Sequence, residues 1–317
     1  MAQFLSTTEM NTFTLRNLRR TAVDQILRSA TMLAIMRAKN RLVVEDGGSI
    51  IAQPILVQLN QTAQTYSGAD VLQSSTQEEY TNYELAYKQA TSACMITGID
   101  QKRNQGTSQQ LSLLKNKQES ALLSLVNLLA GQVFSDGTGN SGKDWDGFLA
   151  SINNASGFQN YLGIDRLANP WWQAQVFDPG TPTALSTGNM LSLFLATRTD
   201  EEVPDLISVT KAIYAIYSSL LTPGERYVDD FVGGLGFDNL AFQGKPLVED
   251  SHNPPAQMFF WNLDHCRMVV HEDENFNFEG FKEPVNQDVM IGRWKTYGNF
   301  ENRKPSSCGV YRNVLNG

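Results

Sequence analysis

Apolar residues at helical spacing predict the longest element of the chain, a helix from Ser108 to Phe134. Thr107 and Gln110 have the spacing of a capping box at its start, and the loop at 135–139 (SDGTG) ends it. One apolar stripe recurs every three or four residues, as on a single helix face, and comprises Leu111, Leu114, Ala121, Leu122, Leu125, Val126, Leu128 and Leu129. The helix should therefore bury one side against the rest of the protein.

An extended hairpin is predicted upstream of this helix. Apolar pairs at 43–44 and 50–51 and an alternating run at 55–59 predict strands, and the polar stretch 60–82 leads into a second strand segment, 83–99. Two long strands joined by a polar tip form a projecting hairpin, which is marginally stable by itself. We therefore expect its apolar residues to contact a neighbouring molecule, namely Ile55, Val57 and Leu59.

The rest of the pattern divides into an N-terminal arm and an α/β half. Residues 1–13 show no period and predict a flexible arm, and 14–39 predict an amphipathic helix with a basic polar face. A strand at 204–209 followed by a helix at 210–221 indicates a small α/β domain across roughly 180–265. From Leu240 onward, short strands dominate.

Charge is distributed unevenly. Residues 1–41 carry seven Lys or Arg against two acidic residues, whereas the remainder carries 18 basic against 31 acidic residues. The basic arm is either a solvated helix face or a contact with nucleic acid or an acidic partner. Only 18% of the 317 residues are charged, below the roughly 25% typical of soluble domains, which suits a surface that contacts other proteins.

The sequence predicts neither membrane insertion nor secretion. No stretch approaches the about 20 consecutive apolar residues of a membrane helix, and the N-terminus lacks a basic segment followed by an apolar run. The three cysteines are scattered, and none belongs to a CxxC pair, so we expect a reducing compartment.

Candidate reactive groups occur without the context that chemistry needs. The loop 137–144 (GTGNSGKD) resembles a phosphate-binding loop up to Asp144, which replaces the required hydroxyl residue, and a predicted helix rather than a strand precedes it. His265, Cys266 and His271 flank a predicted strand at 267–270. In extended chain, positions six apart are about 20 Å from each other, so the two histidines could share a metal ion only if the chain folded back between them. We expect no catalytic, cofactor or metal site and no enzymatic activity; a nucleotide hydrolase using this loop is the alternative from another class.

Several stretches appear in a characteristic order: RLANPWW at 166–172, PDLI at 204–207, YAIY at 214–217, PGER at 223–226, GFDNLAFQGKP at 236–246 and PVNQD at 284–288. Together with the basic arm, the hairpin, the long capped helix and a long C-terminal strand, they make the chain resemble a tailed-bacteriophage major capsid protein of the HK97 fold. The resemblance covers nearly the whole chain and rests on the joint order, since no single motif is diagnostic.

The resemblance implies an α+β, HK97-like capsid fold and a division of the chain into named parts. These are an N-terminal arm (1–46), an extended E-loop (47–88), a first part of the P-domain (89–175) with a spine helix (107–134), an α/β A-domain (176–265) and a second part of the P-domain (266–317). By the same resemblance the arm would face the shell interior, touching DNA or scaffold through Arg16, Arg19, Arg20 and Arg28. Ile55, Val57 and Leu59 would contact an adjacent subunit.

The implied function is self-assembly as hexamers and pentamers into an icosahedral shell around double-stranded DNA. The shell would be the capsid of a virion assembled in the host cytoplasm, with a portal as a partner and a decoration protein as a further candidate partner. An E-loop starting near residue 47 leaves little room for a scaffolding segment, which implies a separate scaffold protein. No lysine lies between Arg41 and Lys88, so covalent crosslinking through an E-loop lysine is not expected. The alternative with the same fold is an encapsulin, the shell of a cellular nanocompartment.

Overall fold

A computed structural model describes residues 30–103, 107–154, 159–199, 202–221 and 239–315. Its helices are α1 (Thr31–Ala38), α2 (Gly98–Arg103), α3 (Thr107–Gln132), α4 (Phe148–Ile152), α5 (Thr187–Thr197) and α6 (Lys211–Leu220). Short helical turns lie at Gly139–Gly142, Pro170–Trp172 and Pro305–Ser307.

Fifteen strands are formed by these residues: β1 (Leu42–Glu45), β2 (Ile50–Leu56), β3 (Tyr80–Ala86), β4 (Lys88–Thr97), β5 (Asn160–Tyr161), β6 (Ile164–Asp165), β7 (Gln175–Phe177), β8 (Leu206–Val209), β9 (Asn239–Phe242), β10 (Lys245–Glu249), β11 (Met258–Trp261), β12 (Cys266–His271), β13 (Asn277–Lys282), β14 (Val289–Asn302) and β15 (Gly309–Tyr311). They build two larger sheets and two hairpins.

The five-stranded sheet is organised around the long strand β14. β4 pairs with β14 along one side, and β12 and β13 pair with it, also antiparallel, on the other. β1 extends the sheet as a parallel partner of β12. Alternate residues of β14 point to opposite faces, and one of these faces, which includes Met290 and Trp294, is buried.

The spine helix α3 packs on that buried face. Its stripe is confirmed at Leu114, Ala121, Leu122, Leu125, Val126 and Leu129, all of which are buried. The indole Nε1 of Trp294 donates to the backbone oxygen of Gln118 over 3.2 Å and ties β14 to the helix. The prediction was wrong for Leu128, which is 45% exposed, because it lies at the edge of the stripe, where the helix faces an open cleft rather than the sheet.

The second sheet has six strands in the order β7-β15-β11-β8-β10-β9, with α5 and α6 packed against it. The predicted strand at 204–209 and the helix that follows are confirmed as β8 and α6, and the Thr210 hydroxyl accepts from the Ile213 amide at the start of α6. β15 comes from the predicted second part of the P-domain, and β7 spans the predicted boundary between residues 175 and 176; both strands join this sheet. The domain boundaries themselves stay predictions.

The predicted hairpin is present, with a different division of its strands. β2 pairs antiparallel with β3, from Ile50 opposite Ala86 to Leu56 opposite Tyr80. The segment 83–99, predicted as one strand, is divided at Tyr87 between β3 and β4. β3 therefore belongs to the hairpin, and β4 belongs to the five-stranded sheet.

Candidate interaction surface

The β2–β3 hairpin has two apolar faces with different surroundings. One face is buried in the subunit against the β5–β6 hairpin and Trp172, and it carries Ile51, Tyr83 and Leu85. The opposite face is open and holds three large apolar side chains, each at least half exposed: Ile50, Leu56 and Tyr80. Since isolated exposed apolar residues are common but a row along one face is not, this outer face is a candidate contact surface.

The tip of the hairpin adds to this surface. Between residues 57 and 79 the apolar side chains are mostly uncovered: Leu59 is 78% exposed and Val71 is 91% exposed, with Tyr66 and Leu72 also exposed. The two chains of the tip are joined near its base, where the Val57 amide donates to the Glu79 oxygen over 2.8 Å. Residues 42–87 contain six acidic residues and no Lys or Arg, so the whole projection is electronegative.

The base of the hairpin is anchored by a buried polar contact. The hydroxyl oxygen of Tyr83 lies 2.8 Å from Glu301 Oε2 and 2.9 Å from Gln53 Oε1. Burial raises the pKa of the Glu301 carboxyl above its ordinary range, although the Tyr83 hydroxyl and nearby arginines oppose that shift. The backbone amide of Glu84 donates to the Leu162 oxygen over 3.0 Å. The hairpin is therefore held firmly at its base, whereas towards its tip most apolar side chains are exposed.

Lys88 fixes the point where the chain leaves the hairpin. Its ammonium donates to the Asp144 backbone oxygen over 2.6 Å and to Asp146 Oδ1 over 2.7 Å, and it lies 3.4 Å from the Gly137 oxygen. The glycine-rich loop that resembles a phosphate-binding loop thus surrounds a lysine of its own subunit. It follows helix α3 directly, whereas a phosphate-binding loop follows a strand.

The five-stranded sheet leaves one face open on the side opposite α3. We call this the open sheet face; it is formed by Gln89, Thr91, Ala93, Met95, Ile291, Arg293 and Lys295. Met95 is 53% exposed, and Arg293 is also exposed. Lys282 and Lys295 hold the pKa of the neighbouring Glu279 carboxyl down to about 2 by donating hydrogen bonds to it. Lys295 is therefore paired with a carboxylate, and Arg293 is the exposed cation beside the apolar area of Met95.

The predicted contact residues are placed differently from one another. Leu59 is exposed, as a contact residue must be in a free subunit, whereas Val57 is half-buried and Ile55 packs partly against its own subunit at the hairpin base. Their roles stay predictions.

Ile50, Leu56 and Tyr80 were missed in the sequence analysis. The signal was available for the first strand, because both the odd-numbered and the even-numbered positions of 50–56 (IIAQPIL) carry apolar residues. Arg16, Arg19, Arg20 and Arg28 lie outside the described residues.

Two histidines make polar contacts within the subunit. His265 Nε2 lies 3.2 Å from Glu202 Oε2, and His252 lies between Asp250 and Asn127, with ring nitrogens 3.3 and 3.0 Å from their oxygens. Within the described ranges, no three His, Cys, Asp or Glu side chains come together as a metal site. No helix in the part of the chain that the structure describes has the length and apolarity to span a membrane.

Comparison with known proteins gives structural matches only. The sequence matches no known protein family and no curated protein. The capsid asymmetric unit of cyanophage A-1(L) is similar with a TM-score of 0.70 at 15% identity, covering 90% of this chain and 93% of that chain. The capsid of a native GTA particle gives 0.61 at 8% identity, covering 87% and 89%. The holo-SrpI encapsulin complex from Synechococcus elongatus PCC 7942 gives 0.57 at 11% identity, covering 93% and 89%.

Each match covers nearly the full length of this chain and of the matched chain, so the similarity concerns the whole fold. The chain has the α+β fold of HK97-type capsid proteins, as the resemblance implied. Phage capsids and an encapsulin share this fold.

Proposed function

We propose that the chain is a major capsid protein that works by associating with copies of itself in a closed shell. The observation that carries this proposal is the hairpin, whose outer face and tip expose a row of apolar side chains on a fold shared with shell proteins. Burying apolar surface is worth roughly 25 cal/mol per Å². The hairpin therefore gains stability when it lies on a neighbouring subunit.

The receiving surface that fits the hairpin best is the open sheet face of a second copy. The hairpin and its flanks are electronegative, with no basic residue between Arg41 and Lys88. The open sheet face presents the exposed Arg293 beside the apolar Met95 and Ile291, whereas Lys295 is paired with Glu279. Complementary charge steers association and fixes its register. Apolar contact supplies the affinity.

The finer details of the shell follow from the resemblance and from the charge distribution. We propose hexamers and pentamers in an icosahedral shell, with the basic arm facing packaged double-stranded DNA. Neutralisation of phosphates by Lys and Arg binds DNA without sequence preference, and the arm holds Arg16, Arg19, Arg20 and Arg28. A virion capsid assembled in host cytoplasm, with a portal, a separate scaffold protein and in some cases a decoration protein, completes this proposal. No enzymatic activity is part of it.

The competing function is an encapsulin shell around a cargo protein. The similarity to the SrpI encapsulin complex supports it, and the basic arm favours the phage capsid because DNA rather than a cargo peptide would meet those arginines. Purified particles distinguish the two: nuclease-protected DNA supports the capsid, whereas particles that hold a protein cargo and no DNA support the encapsulin.

Electron microscopy and sedimentation of the expressed protein test the proposal directly. We expect shells, tubes or ring-shaped oligomers from the wild type. Replacing residues 59–77 by two glycines should abolish closed shells and leave folded subunits, because Gln58 and Glu78 already face each other and need only a short turn. Wild-type protein that stays monomeric at high concentration, or the shortened hairpin closing normal shells, would contradict the proposal.

A charge reversal tests the receiving surface separately. Arg293→Glu places a like charge opposite the electronegative hairpin and should reduce assembly without changing the melting temperature of the subunit. Lys117→Glu is the matched control, since Lys117 is exposed on α3, away from the open sheet face. If Arg293→Glu and Lys117→Glu assembled equally well, the hairpin would bind a surface other than the open sheet face.

A further inference from the structure

Two cysteines that are distant in sequence meet where the two sheets join. Cys266 is the first residue of β12 in the five-stranded sheet, and Cys308 directly precedes β15 in the six-stranded sheet. Their sulfur atoms lie 3.9 Å apart, although the residues are 42 positions apart in the chain. Both side chains are completely buried.

The surroundings of Cys308 favour its thiolate. The backbone amide of Asn262 donates to Cys308 Sγ over 3.5 Å, and the Cys266 thiol is placed to donate to the same sulfur. The hydrogen bond from Cys266 lowers the pKa of the Cys308 thiol, while burial raises the pKa of the Cys266 thiol. We assign Cys308 as the nucleophile of the pair because its sulfur also accepts the hydrogen bond of the Asn262 amide, and Cys266 as the resolving thiol.

We propose that Cys266 and Cys308 are the site of an intramolecular disulfide that forms on exposure to hydrogen peroxide and joins the two sheets covalently. The inference rests on the geometry of this junction and is independent of the proposed function. Three scattered cysteines without a CxxC pair gave no sequence signal for it.

The chemistry balances with one peroxide per pair. The Cys308 thiolate attacks one peroxide oxygen; a sulfur–oxygen bond forms, the oxygen–oxygen bond breaks, and the departing hydroxide takes a proton to become water. The Cys266 sulfur then attacks Cys308 Sγ of the resulting sulfenic acid, so that the sulfur–sulfur bond forms and the sulfur–oxygen bond breaks. The second hydroxide leaves with the Cys266 proton as water. Two electrons pass from the two thiols to the peroxide.

The distances permit this step. A disulfide has sulfurs about 2.05 Å apart, so the two sulfurs must approach by roughly 2 Å from their 3.9 Å separation. Both thiols are completely buried, so hydrogen peroxide reaches them when these strand ends open locally. Cys94 provides an internal control, because it is also buried and its thiol lies 3.5 Å from the Gly292 oxygen rather than beside another thiol.

The test uses the full-length protein, purified with reductant and then treated with a small molar excess of hydrogen peroxide. After alkylation under denaturing conditions, we expect one free thiol, at Cys94, and a crosslink between the tryptic peptides that end at Arg267 and Arg312. The melting temperature should rise by about 5 °C or more, because the bond closes a long loop in the unfolded chain. Dithiothreitol should reverse both changes.

Two variants sharpen the result. Cys94→Ala should form the same crosslink, whereas Cys266→Ala should form none and should accumulate sulfinic acid at Cys308 for lack of a resolving thiol. Recovery of three free thiols from oxidised wild type, a crosslink that involves Cys94, or sulfinic acid at Cys308 in the wild type would overturn the proposal. The wild-type measurement stands even where a variant folds poorly.

Discussion

The spine helix and the hairpin both repeat apolar residues with the period of their own secondary structure, but these residues are covered differently. On α3 the stripe that includes Leu122, Leu125 and Leu129 is buried within the subunit, and the opposite side is mostly polar. On β2 apolar residues occur at both parities, so that Ile51 is buried while Ile50 and Leu56 on the other face are 50% exposed. A helix with one apolar side, such as α3, uses that side to stabilise its own subunit. A hairpin with two apolar faces buries one face in its own subunit and has the other face available to contact a second molecule.

This difference separates folding from association. Changes on the buried stripe of α3 should alter the stability of the isolated subunit, and changes on the outer face of the hairpin should alter assembly while the subunit keeps its stability. The base of the hairpin, where Tyr83 meets Glu301, lies between these two cases. The following experiments are ordered by their expected effect on the free energy of unfolding of the subunit.

Leu122→Ala should have the largest effect. Leu122 is buried between α3 and the five-stranded sheet, and removing a buried leucine side chain costs about 2–5 kcal/mol. Lys117→Ala on the exposed side of the same helix should change the free energy of unfolding by less than about 0.5 kcal/mol. Chemical denaturation of unassembled subunits measures both, and equal midpoints would mean that the helix does not bury this face.

Local patterns were enough to predict the elements that depend on neighbouring residues. The helix α3 begins and ends within two residues of its predicted bounds, and β8 and α6 lie within two residues of the predicted strand 204–209 and helix 210–221. In these elements, side-chain spacing and capping decide the local structure without help from distant parts of the chain.

Long-range pairing was not predictable in this way. β1 pairs with β12 more than 200 residues away, and the three-residue strands β7 and β15 carry too little pattern to be recognised alone. The apolar alternation runs on through Tyr87, which hides the change from the hairpin to the five-stranded sheet. The contacts of Tyr83 with Glu301 and of Cys266 with Cys308 also depend on tertiary structure.

Tyr83→Phe should have the next largest effect. The change keeps the ring and removes only the hydroxyl that lies 2.8 Å from the buried Glu301 carboxylate, and a buried polar group that loses its partner costs about 1–3 kcal/mol. Tyr80→Phe is the matched control, because Tyr80 is exposed on the same strand. The rate of amide hydrogen exchange in β3 should rise in Tyr83→Phe and not in Tyr80→Phe. If exchange and stability were unchanged in Tyr83→Phe, this contact would not anchor the hairpin.

The pH dependence of the subunit's stability tests the contact between Tyr83 and Glu301 through the ionisation of the Glu301 carboxyl. Because the pKa of Glu301 is raised in the folded state, the native protein binds this proton more tightly than the unfolded chain does. The resulting stabilisation is fully present below about pH 4.5 and is lost as the pH rises through the folded pKa. Glu301→Gln should lack this contribution, so the difference in melting temperature between variant and wild type should grow in favour of the variant from pH 4.5 upward. A constant or opposite difference would contradict the raised pKa.

The smallest effect on the subunit is expected from the outer face of the hairpin. Ile50→Thr combined with Leu56→Thr removes apolar area from side chains that are half exposed, and threonine keeps the preference for extended backbone. The free energy of unfolding of the subunit should therefore change by less than about 1 kcal/mol. In sedimentation and electron microscopy the same variant should lose closed shells, because the removed methyl groups are those left for a neighbouring subunit to cover.

Ile51→Thr, one position away on the buried face, is the matched control and should destabilise the subunit itself. If the double variant unfolds as readily as Ile51→Thr, both faces of the hairpin serve folding; if it closes normal shells, the hairpin binds its neighbour by another surface.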